Sequence, residues 1–322
     1  MKEQEETIFS KDAGTRRLQN AFGEVLGDLP TDADVQEAWK TFVRRRTAKK
    51  RKRVIGLYAS GAVAAAVMIL FIFGFPWRGS SGAEFDFAVF TALQAPRQVL
   101  ITESGDWIQV ATPPATTKPV TLPDGTCVLL GANSRLEYPK LFPEQGVREV
   151  RLSGEARFEV SKDVAQPFLV FTGKMQTEVL GTVFDVNAYP GSGTSAVTLY
   201  QGRVRVSDDA ERRDILPGQQ VVLTEKKGLS LRKAAVSATE SWVNGEFVFD
   251  DAPLAEVLQA VGTWYNVSVV FRAADLLHLR IHFRYTRQAS LSELIQVLND
   301  LGIAHLEQDK ERVLVKSRFT KD

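Results

Sequence analysis

From Val54 to Pro76 the chain reads VIGLYASGAVAAAVMILFIFGFP, 23 residues without a charge. As an α-helix at ~1.5 Å per residue it would span about 34 Å, enough for a hydrocarbon core ~30 Å thick. Trp77 and Arg78 close it, an aromatic at the interface and then a charge. A cleaved signal peptide fits poorly: its apolar region would be shorter, its leader would not run to 53 residues, and no small-x-small site follows. A buried core helix rarely stays uncharged on every side for about six turns. The run predicts one transmembrane helix over 54–76.

The ten residues before it hold eight cations: Arg44, Arg45, Arg46, Lys49, Lys50, Arg51, Lys52 and Arg53. Alone, they read as a nuclear-type or nucleic-acid-binding run. Beside the apolar stretch they read more simply as a topological lock. Residues 77–100 carry only Arg78 and Arg97, so the positive-inside rule places the N-terminus in the cytoplasm and residues 77–322 across the membrane. The net charge of +1 hides this asymmetry, since residues 1–43 hold nine acids against five bases. No general nucleic-acid steering field follows from such a distribution.

The inner segment, 1–43, shows two short amphipathic patterns. Leu18, Phe22, Val25, Leu26 and Leu29 recur at helical spacing, as do Val35, Trp39, Phe42 and Val43, with Pro30 between them. Helices this short enclose little apolar surface. They either fold on each other or on the membrane surface, or dock on a cytoplasmic protein with the aromatics as anchors.

Beyond the span, residues 77–118 form a linker with leading strands, rich in Gly, Ser, Thr and Pro. From Pro119 the punctuation changes. PVTLPDGTCVLL reads as strand, Asp-Gly turn, strand. In VREVRLSGEARFEV, residues Val150, Leu152, Ala156, Phe158 and Val160 alternate inward, with a break expected at Gly154. Further short strands follow without helical pattern, so 119–236 is expected to be an all-β sandwich or wrapped roll. After Trp242 the period changes. Residues 242–318 read as two βαβ units forming a small α+β domain, with helices on one face of a sheet whose edges are free. Asp251 is expected to cap the first helix, with Pro253 in its first turn; Ser290-Leu291-Ser292-Glu293 is a capping box before the second. Leu254, Val257, Leu258 and Val261 form the first helix's apolar stripe, and the second repeats it 37 residues on.

Little here carries chemistry. His278 and His282 are expected on one strand, about 13 Å apart on one face, with no further ligand, so no metal site follows. No nucleophile elbow or glycine-rich phosphate loop is present. Cys127, the single cysteine, sits beside the Asp124-Gly125 turn and reads as packed. Neither a turnover enzyme nor a cofactor is expected.

LPDGTCVLLGANSRLEYP (122–139), VRLSGEARFEVSKDVAQPFLV (150–170), VLGTVFDVNAY (179–189), VTLYQGRVRV (197–206) and LPGQQ (216–220) together resemble the periplasmic domain of FecR-type anti-sigma factors. Gly131 departs from the pattern, which usually has Asn there. WVNGEFVFDDAPLAEVLQAVGTWYNVSVVF resembles the C-terminal domain of one branch of that family, itself similar to the STN fold of secretins and TonB-dependent receptors. The resemblance implies an inner-membrane regulator. The signalling domain of an outer-membrane TonB-dependent receptor would meet its periplasmic part, and residues 1–43 would hold an extracytoplasmic-function sigma factor. Leu18, Phe22, Val35, Trp39, Phe42 and Val43 are then the candidate sigma contacts.

Some members of the family break at a Gly-Thr bond by attack of the Thr hydroxyl on the preceding carbonyl. Gly181-Thr182 matches that pair; the other reading is a glycine bulge with Thr182 facing the core beside Leu180 and Phe184. Two competing functions stay open. One is a membrane-anchored periplasmic binding or scaffold module without a sigma factor. The other is a transmembrane activator with a DNA-binding inner part, against which the acidic, short 1–43 segment argues.

Overall fold

The structure is a computed structural model that describes residues 87–90, 92–234 and 240–318. The inner segment, the basic run and the apolar run lie outside the described residues. Among the described residues, no helix is long and apolar enough to cross a membrane.

A β body follows the first strand, β1 (Phe87–Phe90). Its strands are β2 (Leu100–Ser104), β3 (Trp107–Ala111), β4 (Lys118–Thr121), β5 (Cys127–Leu130), β6 (Arg135–Pro139), β7 (Arg148–Glu159) and β8 (Phe168–Thr172). β9 (Met175–Val179), β10 (Val183–Ala188), β11 (Thr194–Gln201), β12 (Val204–Ser207), β13 (Arg212–Ile215), β14 (Gln219–Thr224) and β15 (Gly228–Lys233) complete it. All fourteen join one hydrogen-bonded network. The body therefore starts before Pro119: β3 pairs with β6, from Trp107↔Pro139 to Ala111↔Arg135, and draws 100–111 into the fold. The Asp-Gly turn is as read, with Thr126 N donating to Asp124 Oδ1 at 3.0 Å and Gly125 at φ +80°.

β7 organises the body. Its first half pairs with β6 and, in parallel, with β8. Its second half pairs with β5 and β10. Gly154 sits at the change of partners, at φ +112°, where an added Cβ would fall 2.7 Å from the Cα of Ser134. The expected break is instead a bend in one continuous twelve-residue strand, because glycine accepts the conformation that redirects it. The alternation holds on both sides of the bend: Val150, Leu152, Ala156, Phe158 and Val160 are buried. Phe158 stacks on Phe184, ring centroids 5.2 Å apart. Cys127 is buried too, and burial pushes its thiol up, away from reactivity.

The C-terminal domain comprises β16 (Glu246–Pro253), α1 (Leu254–Tyr265), β17 (Ser268–Phe271), a 3-10 helix (Ala274–His278), β18 (Arg280–Thr286), α2 (Leu291–Asp300), β19 (His305–Asp309) and β20 (Arg312–Lys316). The two βαβ units are each split between two sheets. Their leading strands, β16 and β18, pair with each other as a two-stranded ribbon. The others lie in a four-stranded sheet of order β1-β17-β20-β19. Leu254, Val257, Leu258 and Val261 of α1 and Leu294, Ile295 and Leu298 of α2 share one core with Phe247 and Phe283 of the ribbon and Val269, Phe271, Val313 and Val315 of the sheet. Both helices thus bury apolar surface against two sheets, where one was expected. The edge of β17 is occupied by β1.

Two local expectations change and a third holds. Asp251 does not cap α1: the N-cap is Pro253, without a side-chain bond. A register shift between Phe249 and Ala252 carries Asp251, at φ +49°, outward to pair with Arg280 at 2.9 Å. His278 ends the 3-10 helix, and only His282 is on the strand, its Nδ1 2.6 Å from Asp250 Oδ1. The capping box expected before α2 is present, Ser290 Oγ accepting from Glu293 N at 3.2 Å and Ser290 N donating to Glu293 Oε2 at 2.7 Å.

Candidate functional site

Of the residues singled out from sequence, the sigma-contact set and the eight cations lie outside the described residues. Gly181 and Thr182 are described. They lie in the short connection between β9 and β10, not within a strand. Gly181 takes φ +146°, and an added Cβ would come within 2.9 Å of Lys162 Cα. Leu180 O accepts from Asp163 N and Thr182 O from Val160 N, each at 3.0 Å. Thr182 is 3% exposed, and its hydroxyl donates to Arg203 O at 3.1 Å. The bond is therefore boxed between the chain after β7 and the Gly202-Arg203 turn. Its hydroxyl is committed to a carbonyl, which activates no nucleophile.

The described residues converge elsewhere, at the seam where the C-terminal domain meets the body. α1 ends there, and its last carbonyls have no partner within the helix. The body supplies donors: Ala115 N binds Trp264 O at 2.8 Å, and the Asn133 amide binds Thr263 O. Ala115 and Asn133 reach them from the left-handed region, at φ +52° and +51°. Ala132 is counted within the C-terminal core. Gly131 anchors this loop through its backbone, donating to Glu155 O at 2.8 Å and accepting from Thr112 Oγ1 at 2.5 Å. An added Cβ at Gly131 would stand 3.0 Å from Glu155 O, so glycine suits the position.

Charge also meets at the seam. Arg287 of the C-terminal domain lies over the rings of Phe247 and Trp264, at 4.5 and 4.9 Å, and donates to Glu246 O. Burial pulls its guanidinium down, and Glu155 and Tyr189 of the body push it back up. Reciprocally, burial raises Glu155 above the ordinary carboxylate value, while Arg287 and the Asn187 amide draw it down. Tyr189 donates to Ala132 O at 2.7 Å, which fixes the loop that carries Asn133.

The connector between the domains is fastened from the body as well. Trp242, 4% exposed, donates its indole N–H to Asp185 Oδ2 at 3.1 Å. The same carboxylate accepts from Arg157 at 2.6 and 2.9 Å and from Tyr200 at 2.6 Å. Burial would lower Arg157, and Asp185 and Tyr200 more than reverse it, holding the guanidinium charged. Sequence reading took Trp242 only as a boundary and did not single out Asp185. The available signal was Asp185 at a strand position between Phe184 and Val186, where a carboxylate needs a partner.

Among the described residues no group of three or more His, Cys, Asp or Glu is placed to hold a metal ion.

Two family models match the chain: one described as FecR protein over residues 108–205, the other as FecR, C-terminal, over 246–315. Two crystal structures of a protein from Parabacteroides distasonis ATCC 8503, assigned as an anti-sigma factor, are similar at 26% and 25% identity. They cover 65% and 66% of this chain and 98% and 99% of their own, each with a TM-score of 0.58. No curated protein matches.

Proposed function

The chain belongs to the FecR family of anti-sigma factors, regulators rather than enzymes, and from that premise we propose a membrane-crossing relay. Residues 1–43 hold an extracytoplasmic-function sigma factor in the cytoplasm, with Leu18, Phe22, Val35, Trp39, Phe42 and Val43 as the contacting side chains. Residues 54–76 cross the inner membrane once, oriented by the cations at 44–53. The β body and the C-terminal domain stand in the periplasm and receive the signalling domain of a TonB-dependent outer-membrane receptor. One observation carries the reading: a 23-residue uncharged run, preceded by eight cations, stands upstream of both matched regions.

A pull-down tests the inner end. Residues 1–53 alone should retain a sigma factor; a fragment that captures none, where the full chain does, removes the assignment. Topology is read from a reporter fused after Asp322, and activity confined to the cytoplasm would overturn the orientation. For Gly181-Thr182 the packed turn supports a structural role over self-cleavage. An immunoblot of the wild type should then show one full-length band; fragments that vanish in Thr182→Ala would reverse this.

A further inference from the structure

The four-stranded sheet of the C-terminal domain draws on two distant parts of the chain. β17, β20 and β19 belong to the domain, whereas β1 arrives from ahead of the β body; Ala92 and Ser268, which meet there, are 176 positions apart. The two neighbours of β17 grip it differently. β20 pairs in unbroken register from Ser268↔Arg312 to Phe271↔Val315 and is backed by β19. β1 pairs at three positions, Phe87↔Phe271, Ala88↔Val270 and Phe90↔Val269, with a register shift between Ala88 and Phe90. Past Phe90, side chains hold the strand's continuation. Ser268 Oγ accepts from Ala92 N at 2.9 Å, and Asn266 clasps Leu93 twice, at 2.7 Å to its N–H and 2.9 Å to its carbonyl. With three register positions and a shift between them, against four unbroken ones for β20, β1 is the less regularly paired neighbour of β17, and a local opening needs to free only the short tether to β2.

Position gives that weakness a consequence. β1 is the first described element after the apolar run, and only residues 77–86 lie between. With β1 in place, those ten residues reach at most about 35 Å. With β1 detached, the next anchor is β2 at Leu100, and the tether of 23 residues, 77–99, reaches about 80 Å.

We propose that β1 is a releasable strand: it leaves the β17 edge as a local unit while the rest of the domain stays folded. Its release converts the state of the C-terminal domain into the reach of the chain beside the apolar run. Its service as a relay rests on the regulatory reading above; its detachment does not.

Hydrogen exchange on the full chain in detergent tests it. Amides of 87–93 should exchange at least about ten-fold faster than those shared by β17 and β20. Asn266→Ala with Ser268→Ala should speed 87–93 further and leave the β17–β20 ladder unmoved. If the double variant does not fold, Ser268→Ala alone, which touches no helix cap, serves. Joining Ala88→Cys to Val270→Cys, which face each other on the ladder, should slow 87–93 to the rate of β17, reversibly with reductant. Exchange of 87–93 at the same rate as β17–β20, or no response to loss of the Asn266 and Ser268 contacts, would make β1 an integral strand and overturn the proposal. A sigma-dependent reporter that reads the same with and without the protein would sink the regulatory reading and leave the exchange result standing.

Discussion

In the β body, guanidinium groups cross the interior. Arg148 is 2% exposed and Arg157 6%, and each is held by a carboxylate, Asp124 at 2.7 Å and Asp185 at 2.6 Å. In the C-terminal domain, the ion pairs Arg280–Asp251, Arg284–Glu246 and Lys316–Glu307 lie on the surface, every member more than a third exposed. There, apolar stripes on α1 and α2 fill the core instead. The body's strands find partners far along the chain, and a buried pair rewards one register and penalises its neighbours. The C-terminal domain is built from two nearly local units, for which hydrophobic patterning suffices. The contrast predicts that charge removal is the larger injury in the body and cavity creation the larger one in the C-terminal domain.

The largest effect is expected from Asp185→Ala. It strips Arg157, Tyr200 and Trp242 of a shared acceptor, and leaving a buried charge unpaired costs about 3–5 kcal/mol. Denaturant unfolding should show the loss in the body's transition; a change under 1 kcal/mol, on the order of a surface pair, would break the comparison. Leu258→Ala, at a fully buried position of α1, should cost about 2–5 kcal/mol. Calorimetry should place that loss in the C-terminal domain with the body unmoved, and a single transition shifting as a whole would show that the two parts do not melt separately. Ser290→Ala removes the capping box of α2, for about 1 kcal/mol confined to the same transition.

The smallest expected effect is at the seam. Glu155 has a folded pKa above the ordinary 4.5, so the folded state holds its proton more tightly than the unfolded state does. The stabilisation from the protonated form is full below 4.5 and is lost as pH rises through the folded value. Glu155→Gln, which carries no ionisation, should therefore be more stable than wild type at neutral pH, and the gap should close on acidification towards 4.5. Parallel stability curves across that window would show that Arg287 and Asn187 already offset the burial.

Much of the fold was legible because it is written in local periods. The alternation from Val150 to Val160, the Asp-Gly hairpin, the stripe on α1 and the capping box of α2 each need only neighbours a few residues away. The failures have a common cause. Asp251 looked like a cap because its spacing to the helix is right, but the ribbon's register shift turns it outward to Arg280. Gly154 marked a break in the alternation from Val150 to Val160, and only the closeness of Ser134 shows why the strand bends there and continues. Of the candidate site, sequence offered Gly181-Thr182. The seam at Asn133, Glu155 and Arg287 was not visible, since each residue is ordinary until its partner arrives from more than a hundred positions away.

The sequence by itself determined the order of the parts: an uncharged run with cations on one side, a strand-rich body, then two strand-helix-strand units with their buried stripes. Those features follow from side-chain chemistry at short range, which periodicity records directly. The tertiary structure alone decided which edges meet: β7 serving two sets of partners, the βαβ units split between two sheets, and β1 completing a sheet that lies far along the chain. Backbone donors and acceptors are the same in every strand, so an edge carries no address in the sequence. Packing and the cost of closing loops choose the partner.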